Sequence, residues 1–203
     1  MNAAKNPETE LERRSVVARL LQDRGELLVI TGLGSSSYDA HAAADDDRNF
    51  YLWGAMGGAA MIGLGLALAQ PQRQVLVLTG DGEMLMGMGS CASIARQAAT
   101  NLSIVVLDNG HFGETGMQQS HTAATDAGGC DLAAVATACG FPHSMVIEDA
   151  DGLDRLAARI HRPEGPLMAV VKIAATNPPR SLPTTDGVWL KNRFRRSLGL
   201  FNG

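Results

Sequence analysis

The chain has 203 residues, 45% of them hydrophobic, with 17 basic against 21 acidic side chains and a formal net charge of −4. This fits one globular domain with a real core, and the mild acidity, without an arginine-rich stripe interleaved with aromatics, argues against nucleic acid as the main partner. The three cysteines, Cys91, Cys130 and Cys139, form no Cys-x-x-Cys pair and no metal-ligand spacing, so they read as small buried residues suited to a reducing cytoplasm.

Residues 1–14 are polar and charged, with no apolar run after a basic start, so secretion is not expected. A polar helix is predicted over 9–23, a strand over 27–31 and a long loop from there to Phe50. The longest apolar run, 54–69, is short for a membrane span and rich in Gly and Ala. It reads as a buried helix whose small residues permit close packing, ended by Gln70-Pro71-Gln72. Then come a strand over 75–79, a helix over 84–99 and a strand over 102–108. After a loop over 110–129 the pattern resumes with a helix at 131–139, a strand at 144–147, a helix at 153–160 and a strand at 167–173. Asp131 and Asp151 sit near helix starts and Gly140 follows a helix end, as capping requires.

Such alternation predicts an α/β fold, a parallel sheet with helices on both faces. Beyond Thr176 the composition shifts: Pro178-Pro179-Arg180 breaks the pattern, and Lys191, Arg193, Arg195 and Arg196 follow Val188-Trp189-Leu190. Residues 1–175 are therefore expected to form the domain and 176–203 a basic tail. The tail reads as a subunit-docking segment, ahead of anionic-substrate recognition by Arg180 and of membrane attachment.

The chemistry concentrates where the central strands end. Gly80-Asp81-Gly82-Glu83 closes one apolar run and Asp108-Asn109 closes the next, and a crossover places those ends side by side on one sheet edge. A carboxylate and an amide offer hard oxygens, an incomplete set that suits Mg²⁺ completed by water and phosphate. Gly80 and Gly82 are expected to let the backbone turn sharply and approach a ligand, and a helix beginning near Met84 to point its dipole at the same anion. Taken alone, Gly-Asp-Gly is also an ordinary tight turn.

Gly80-Asp81-Gly82 followed by Asp108-Asn109-Gly110-His111-Phe112-Gly113 resembles the thiamine diphosphate motif, with Asp108 replacing the first Asn of the usual pair. The resemblance implies a thiamine diphosphate-binding fold of the diphosphate-domain type. It also implies Mg²⁺ held by Asp81 and Asn109 side chains and the His111 carbonyl, within a cofactor-binding stretch that includes Gly80, Gly82 and Glu83. Trp53-Gly54-Ala55-Met56-Gly57 resembles the family's segment beneath the cofactor, with Gly54 offering a carbonyl to the aminopyrimidine and Met56 bending the cofactor. By itself, Met56 also reads as a core methionine. Ser35 and Ser36, after the first strand, are candidates for a hydroxyl on the diphosphate, or for a simple N-cap cluster.

In this family a glutamate that activates the aminopyrimidine comes from a separate pyrimidine-binding domain, for which this chain has no room. The resemblance thus implies a partner subunit supplying that glutamate. Asn49-Phe50-Tyr51 and Glu114-Thr115-Gly116-Met117-Gln118 are most similar to the small subunit of sulfopyruvate decarboxylase and the matching part of phosphonopyruvate decarboxylase. That implies a carboxy-lyase releasing CO₂ and an aldehyde from a small anionic 2-oxo acid. A carboligase of the acetolactate synthase kind, a 2-oxoacid oxidoreductase β subunit and a non-catalytic cofactor-binding module are the alternatives; the iron–sulfur cysteine pattern of the second is absent. No residue is assigned a catalytic role. His121 reads as a proton-transfer candidate or as a surface histidine, and Glu114 as support for the metal loop or a turn cap.

Overall fold

The computed structural model describes residues 10–126, 128–162 and 164–200. Residue 9, where the sequence starts its first helix, and the last three residues of the tail lie outside them. Along the chain run α1 (Arg13–Leu21), β1 (Leu28–Thr31), α2 (Ser35–Ala44), β2 (Asn49–Tyr51), α3 (Ala59–Ala69) and β3 (Val75–Gly80). These are followed by α4 (Asp81–Met86), α5 (Ser90–Gln97), β4 (Leu102–Asp108), β5 (His111–Phe112), β6 (Gln118–Gln119) and α6 (Leu132–Cys139). The chain closes with β7 (His143–Ile147), α7 (Ala150–Arg159), β8 (Leu167–Lys172) and α8 (Gly187–Ser197).

Six strands form one sheet in the order β2-β1-β3-β4-β8-β7, every neighbouring pair parallel. Alternation along each strand sorts the core into two layers. Leu76, Leu78, Val105, Leu107, Ala169 and Val171 face Val17 and Leu20 of α1 and Leu153 and Leu156 of α7. Val75, Val77, Ile104, Val106, Met168 and Val170 face Leu64 of α3, Ile94 of α5 and Leu132 of α6. Each of the larger side chains contributes about 1.5–3 kcal/mol by leaving water, and being buried on both faces requires the continuous apolar runs seen in the sequence. With all strands parallel, the carboxyl ends of β1, β3, β4 and β8 share one edge.

Several expected boundaries shift. Residues 32–50, expected as loop, contain α2 and β2. Serine and aspartate runs there read as turn chemistry, yet Ser37 Oγ donates to the Gly32 carbonyl at 2.8 Å and sits 2.6 Å from Thr31 Oγ1, fastening the first helical turn to β1. The helix expected from residue 54 starts only at Ala59, because Gly54 and Gly57 hold φ of 73° and 85°. The helix expected over 84–99 is two: α4 starts earlier, at Asp81, and Gly87-Met88-Gly89 separates it from α5. Gly87 is needed for close approach, since a Cβ there would lie 2.4 Å from the Gly57 carbonyl oxygen. The 110–129 loop contains the β5–β6 hairpin. Asp131 caps α6 and Gly140 ends it at φ 99°, but α7 is capped by Asp149, with Asp151 inside its first turn.

The segment after β8 is joined to the domain through α8. Leu190 and Phe194 are buried, Phe194 stands edge-on to Phe50 at 5.7 Å, and Arg193 pairs with Asp45 at 3.0 Å. This helix covers edge strand β2, whose free backbone groups otherwise invite pairing. Among the described residues no helix is long and apolar enough to cross a membrane.

The tightest layer contact lies at Gly63 of α3, where a Cβ would fall 2.2 Å from Cγ2 of the stiff, buried Val77. Gly63→Ala should therefore destabilise the fold by about 1–3 kcal/mol despite its better helix propensity, read as a lowered urea midpoint with an unchanged slope. A raised midpoint would show that α3 is free to lift from the sheet.

Candidate cofactor site

The shared sheet edge opens into a cleft with ≈ 720 Å³ of empty space. Its lining includes Ser35, Ser36, Met56, Gly80, Asp81, Gly82, Glu83, Asn109 and His111, with Glu114 at its rim. Of the ten residues singled out for cofactor binding, only Gly54 is outside this lining; it sits in the turn before α3. His121 is also outside it and exposed.

Asp81 is the first residue of α4, with Gly80 as its N-cap, so its carboxylate sits where the helix dipole favours an anion. It is 3% exposed and its Oδ2 accepts from Ser120 Oγ and, at 3.0 Å, from Thr122 Oγ1. Thr122 Oγ1 also lies 2.7 Å from Asp108 Oδ1. Asp108, in the position of the motif's first Asn, is buried, and its other oxygen takes the ammonium of Lys172, its register partner on β8. Lys172 thus accompanies the acidic replacement with a neutralising charge. Ser120, Thr122 and Lys172 were not anticipated. A lysine ending an otherwise apolar strand was the signal for Lys172, whereas nothing local marks Ser120 and Thr122, which arrive through the hairpin.

Asn109 follows directly, its Oδ1 accepting from the His111 N–H at 2.9 Å. This turn sets Asn109 and the His111 backbone beside Asp81. Neither Gly80 nor Gly82 has positive φ, so the expected sharp turn is not their role. Gly82 makes room for Phe112, whose Cε1 would lie 2.5 Å from an added Cβ. At Gly80 an added Cβ meets nothing within 4 Å and would project into open space that a ligand can use.

Glu83 lines the cleft with its oxygens turned to the protein. They accept from Thr79 Oγ1 at 2.8 Å and the Ala59 N–H at 3.4 Å, with the Leu33 and Gly57 N–H groups also directed at them. A Cβ on Gly32 would overlap its Oε2 at 1.5 Å. Burial pushes the Glu83 carboxyl above the ordinary range and these donors pull it back. On the β1 side, α2 has Gly34 as N-cap at φ 82° with no side-chain cap. Ser35 and Ser36, inside its first turn, make no side-chain hydrogen bond among the described residues, and Ser36 is 3% exposed; the N-cap reading does not apply to them. An uncapped helix start with two spare hydroxyls is suited to phosphate oxygens.

No group of three or more His, Cys, Asp or Glu side chains among the described residues is placed to hold a metal. Asp81, Asn109 and the His111 carbonyl could offer a mixed oxygen set, the donor chemistry of Mg²⁺ rather than zinc. The cleft can thus receive a metal-bound diphosphate between two helix starts.

The family described as thiamine pyrophosphate enzyme, C-terminal TPP binding domain, matches residues 32–172. The sulfopyruvate decarboxylase subunit beta of Methanothermobacter thermautotrophicus is 39% identical over 167 residues, 82% of this chain and 84% of that protein. The phosphonopyruvate decarboxylase of Streptomyces viridochromogenes is 38% identical over 162 residues, 79% of this chain but 39% of that longer protein. In structure, benzoylformate decarboxylase from Polynucleobacter necessarius superposes with a TM-score of 0.69 at 20% identity, over 87% of this chain and 36% of that one, which supports the fold.

The Asp81 site also makes a pH prediction for the metal-free chain. Burial above all, and the neighbouring Asp108, push the Asp81 carboxyl above the ordinary range, against the pull of Ser120 and Thr122. A carboxyl raised on folding stabilises fully below its unfolded value, and that stabilisation is lost as pH rises through the folded value. Asp81→Asn in chelator should therefore raise Tm by about 2–4 °C at neutral pH, with the gap closing as pH falls toward about 4. A variant melting below wild type at neutral pH contradicts this. The matched span, the strand-end geometry and the donor set agree: the chain belongs to the thiamine pyrophosphate enzymes through their C-terminal cofactor-binding domain.

Proposed function

We propose that this chain is the diphosphate-binding subunit of a two-component, non-oxidative 2-oxoacid decarboxylase whose substrate carries a second anionic group, a sulfonate or phosphonate. The observation that carries the reading is the meeting of Asp81, Asn109, Ser35 and Ser36 in one cleft, in a chain that spans most of a sulfopyruvate decarboxylase β subunit but 39% of a phosphonopyruvate decarboxylase. Bound thiamine diphosphate supplies the electron sink that lets a 2-oxo acid lose CO₂.

The chain's own residues bind and orient. Asp81, Asn109 and the His111 carbonyl hold Mg²⁺, and Ser35 and Ser36 donate to the diphosphate. Met56, 43% exposed at the cleft, supports the cofactor from below, with the Gly54 carbonyl directed to the aminopyrimidine. Gly80 and Gly82 keep the floor free of side chains, and Glu83 acts as a positioning residue through the loops it fastens. Leu33, Phe112 and Leu107 keep the cleft wall apolar.

The partner belongs on the methionine-rich face beside the cleft. Met56, Met61, Ile62, Met86 and Met88 are each at least 36% exposed, and Gly57, next to Met56, packs on the Met86–Gly87 backbone; exposed apolar surface of this kind suits a protein partner. Methionine adapts to the shape of a partner. There a pyrimidine-domain subunit brings the activating glutamate that this chain lacks. Residues 10–175 serve as the cofactor domain, and the outer side of the tail, with Val188 and Lys191 exposed, contributes to docking.

Calorimetric titration of Mg²⁺ and thiamine diphosphate into the chain with its co-purifying subunit tests this. Asp81→Ala and Asn109→Ala should each weaken binding at least about 100-fold, as expected for loss of a metal ligand. CO₂ release from sulfopyruvate or phosphonopyruvate should require both subunits. Metal-independent binding, or equal affinity in the variants, would overturn the assignment.

A further inference from the structure

Two cations sit where helix physics disfavours them. Arg13 and Arg14 occupy the first turn of α1, next to the positive end of its dipole, with no acidic residue in that turn. Arg13 is nevertheless 4% exposed. Residues that break a local rule in a well-formed fold concentrate at functional sites.

What brings Arg13 inward is the start of the chain docking on the sheet. Leu11 forms a bridge with Ile173 just past β8, and its carbonyl accepts from the Ala174 N–H at 2.9 Å. Two residues later Arg13 emerges at the carboxyl edge of the sheet, lining the same cleft as Ser35, Ser36, Gly80, Asp81 and Asn109. Its Nε donates to Asp39, a fully buried residue of α2, which also accepts from Arg14 Nε at 3.2 Å. Arg14 is held in turn by the Pro179 carbonyl at 2.7 Å. The terminal nitrogens of Arg13 donate no hydrogen bond among the described residues.

Asp39 takes one nitrogen from each guanidinium, and Glu12, the N-cap of α1, turns its carboxylate to Ser15, so the end of the Arg13 guanidinium is what this cluster presents to the cleft. A buried guanidinium whose terminal nitrogens have no partner among the described residues suits a bidentate oxyanion. Arg13 also lies outside residues 32–172, the span matched by the family, so it supplements the binding residues found there.

Resting on the thiamine diphosphate reading above, we propose that Arg13, aimed by Asp39, is an additional diphosphate-binding residue that offsets the charge left after one divalent cation. The anion is a diphosphate and not the acidic end of the substrate, because Arg13 shares its lining with Ser35 and Ser36 at the α2 start and with Gly80 and Asp81, the groups assigned to the diphosphate and its metal. Arg180 belongs to the rim, where it pairs with Glu114 at 3.0 Å.

The test titrates Mg²⁺ with thiamine diphosphate, with inorganic diphosphate and with unphosphorylated thiamine into wild type, Arg13→Met, Arg13→Lys and Asp81→Ala. Arg13→Met should weaken both diphosphates by about 10-fold or more and leave thiamine unchanged, while Arg13→Lys, which keeps the charge but not the fork, falls between. Thermal melting checks folding; if Arg13→Met does not fold, a loss of at least about 3-fold in Arg13→Lys carries the test. Wild-type diphosphate affinity in the folded Arg13 variants, with Asp81→Ala still impaired, overturns the inference alone. A rise confined to the KM for the oxo acid assigns the cation to substrate and overturns it too. Failure of wild type to bind either diphosphate overturns the underlying reading as well.

Discussion

The buried carboxylate of Glu83 is the point on which the site's geometry depends. Sheet registry brings the ends of β1 and β3 together, but it does not fix the loops leaving them. Glu83 does so by accepting from Thr79 on β3 and from Ala59 ahead of α3, with the Leu33 and Gly57 N–H groups also directed at it. Three segments distant in sequence are thereby held to one group, and the desolvation of that group is offset only while all of them stay in place. Gly32 keeps the space open, and the Gly57–Gly87 approach locks α4 against the same turn. Met56 and Asp81, on either side of this hub, inherit their spacing from it.

Charge follows a complementary plan. Asp81 and Asp108 lie close enough for Asp108 to raise the Asp81 carboxyl, and Thr122, with one hydroxyl proton, cannot fully satisfy both. Lys172 offsets Asp108, which leaves Asp81 as the carboxylate with most to gain from a cation. In the same cleft Arg13 presents a guanidinium aimed by Asp39. One wall asks for a metal and the other for an anion, the polarity a metal–diphosphate pair has.

Five of the six strands of the main sheet, their order of appearance and the motif were legible in the sequence because they rest on local apolar runs and short spacings. Val75–Gly80 and Leu102–Asp108 needed nothing beyond periodicity and flanking turn residues. α2 and β2 were not legible: Ser35-Ser36-Ser37 and Asp45-Asp46-Asp47 have turn composition, and only the buried partners Thr31 and Arg13 turn that stretch into structure. The break at Gly87-Met88-Gly89 depends on the approach of Gly57, thirty residues earlier in the chain. In the cleft, Asp81 and Asn109 were singled out through type and spacing, and the fold brings both into one lining. Arg13, which lines the cleft, and Ser120, Thr122 and Lys172, which bond Asp81 or Asp108, were not, since each is placed by a tertiary contact that no local pattern encodes. Glu83 was found as part of the motif, but the direction of its carboxylate follows from packing alone.

The central claim is that Asp81 and Asn109 hold a divalent cation against a diphosphate. The most direct measurement is a crystal structure of the chain with Mn²⁺ and thiamine diphosphate, using anomalous scattering to locate the metal. The account predicts one strong peak at about 2.0–2.3 Å from an Asp81 carboxylate oxygen, the Asn109 Oδ1 and the His111 carbonyl, with diphosphate oxygens completing its shell. A peak elsewhere, or cofactor bound with no metal between it and Asp81, would contradict it.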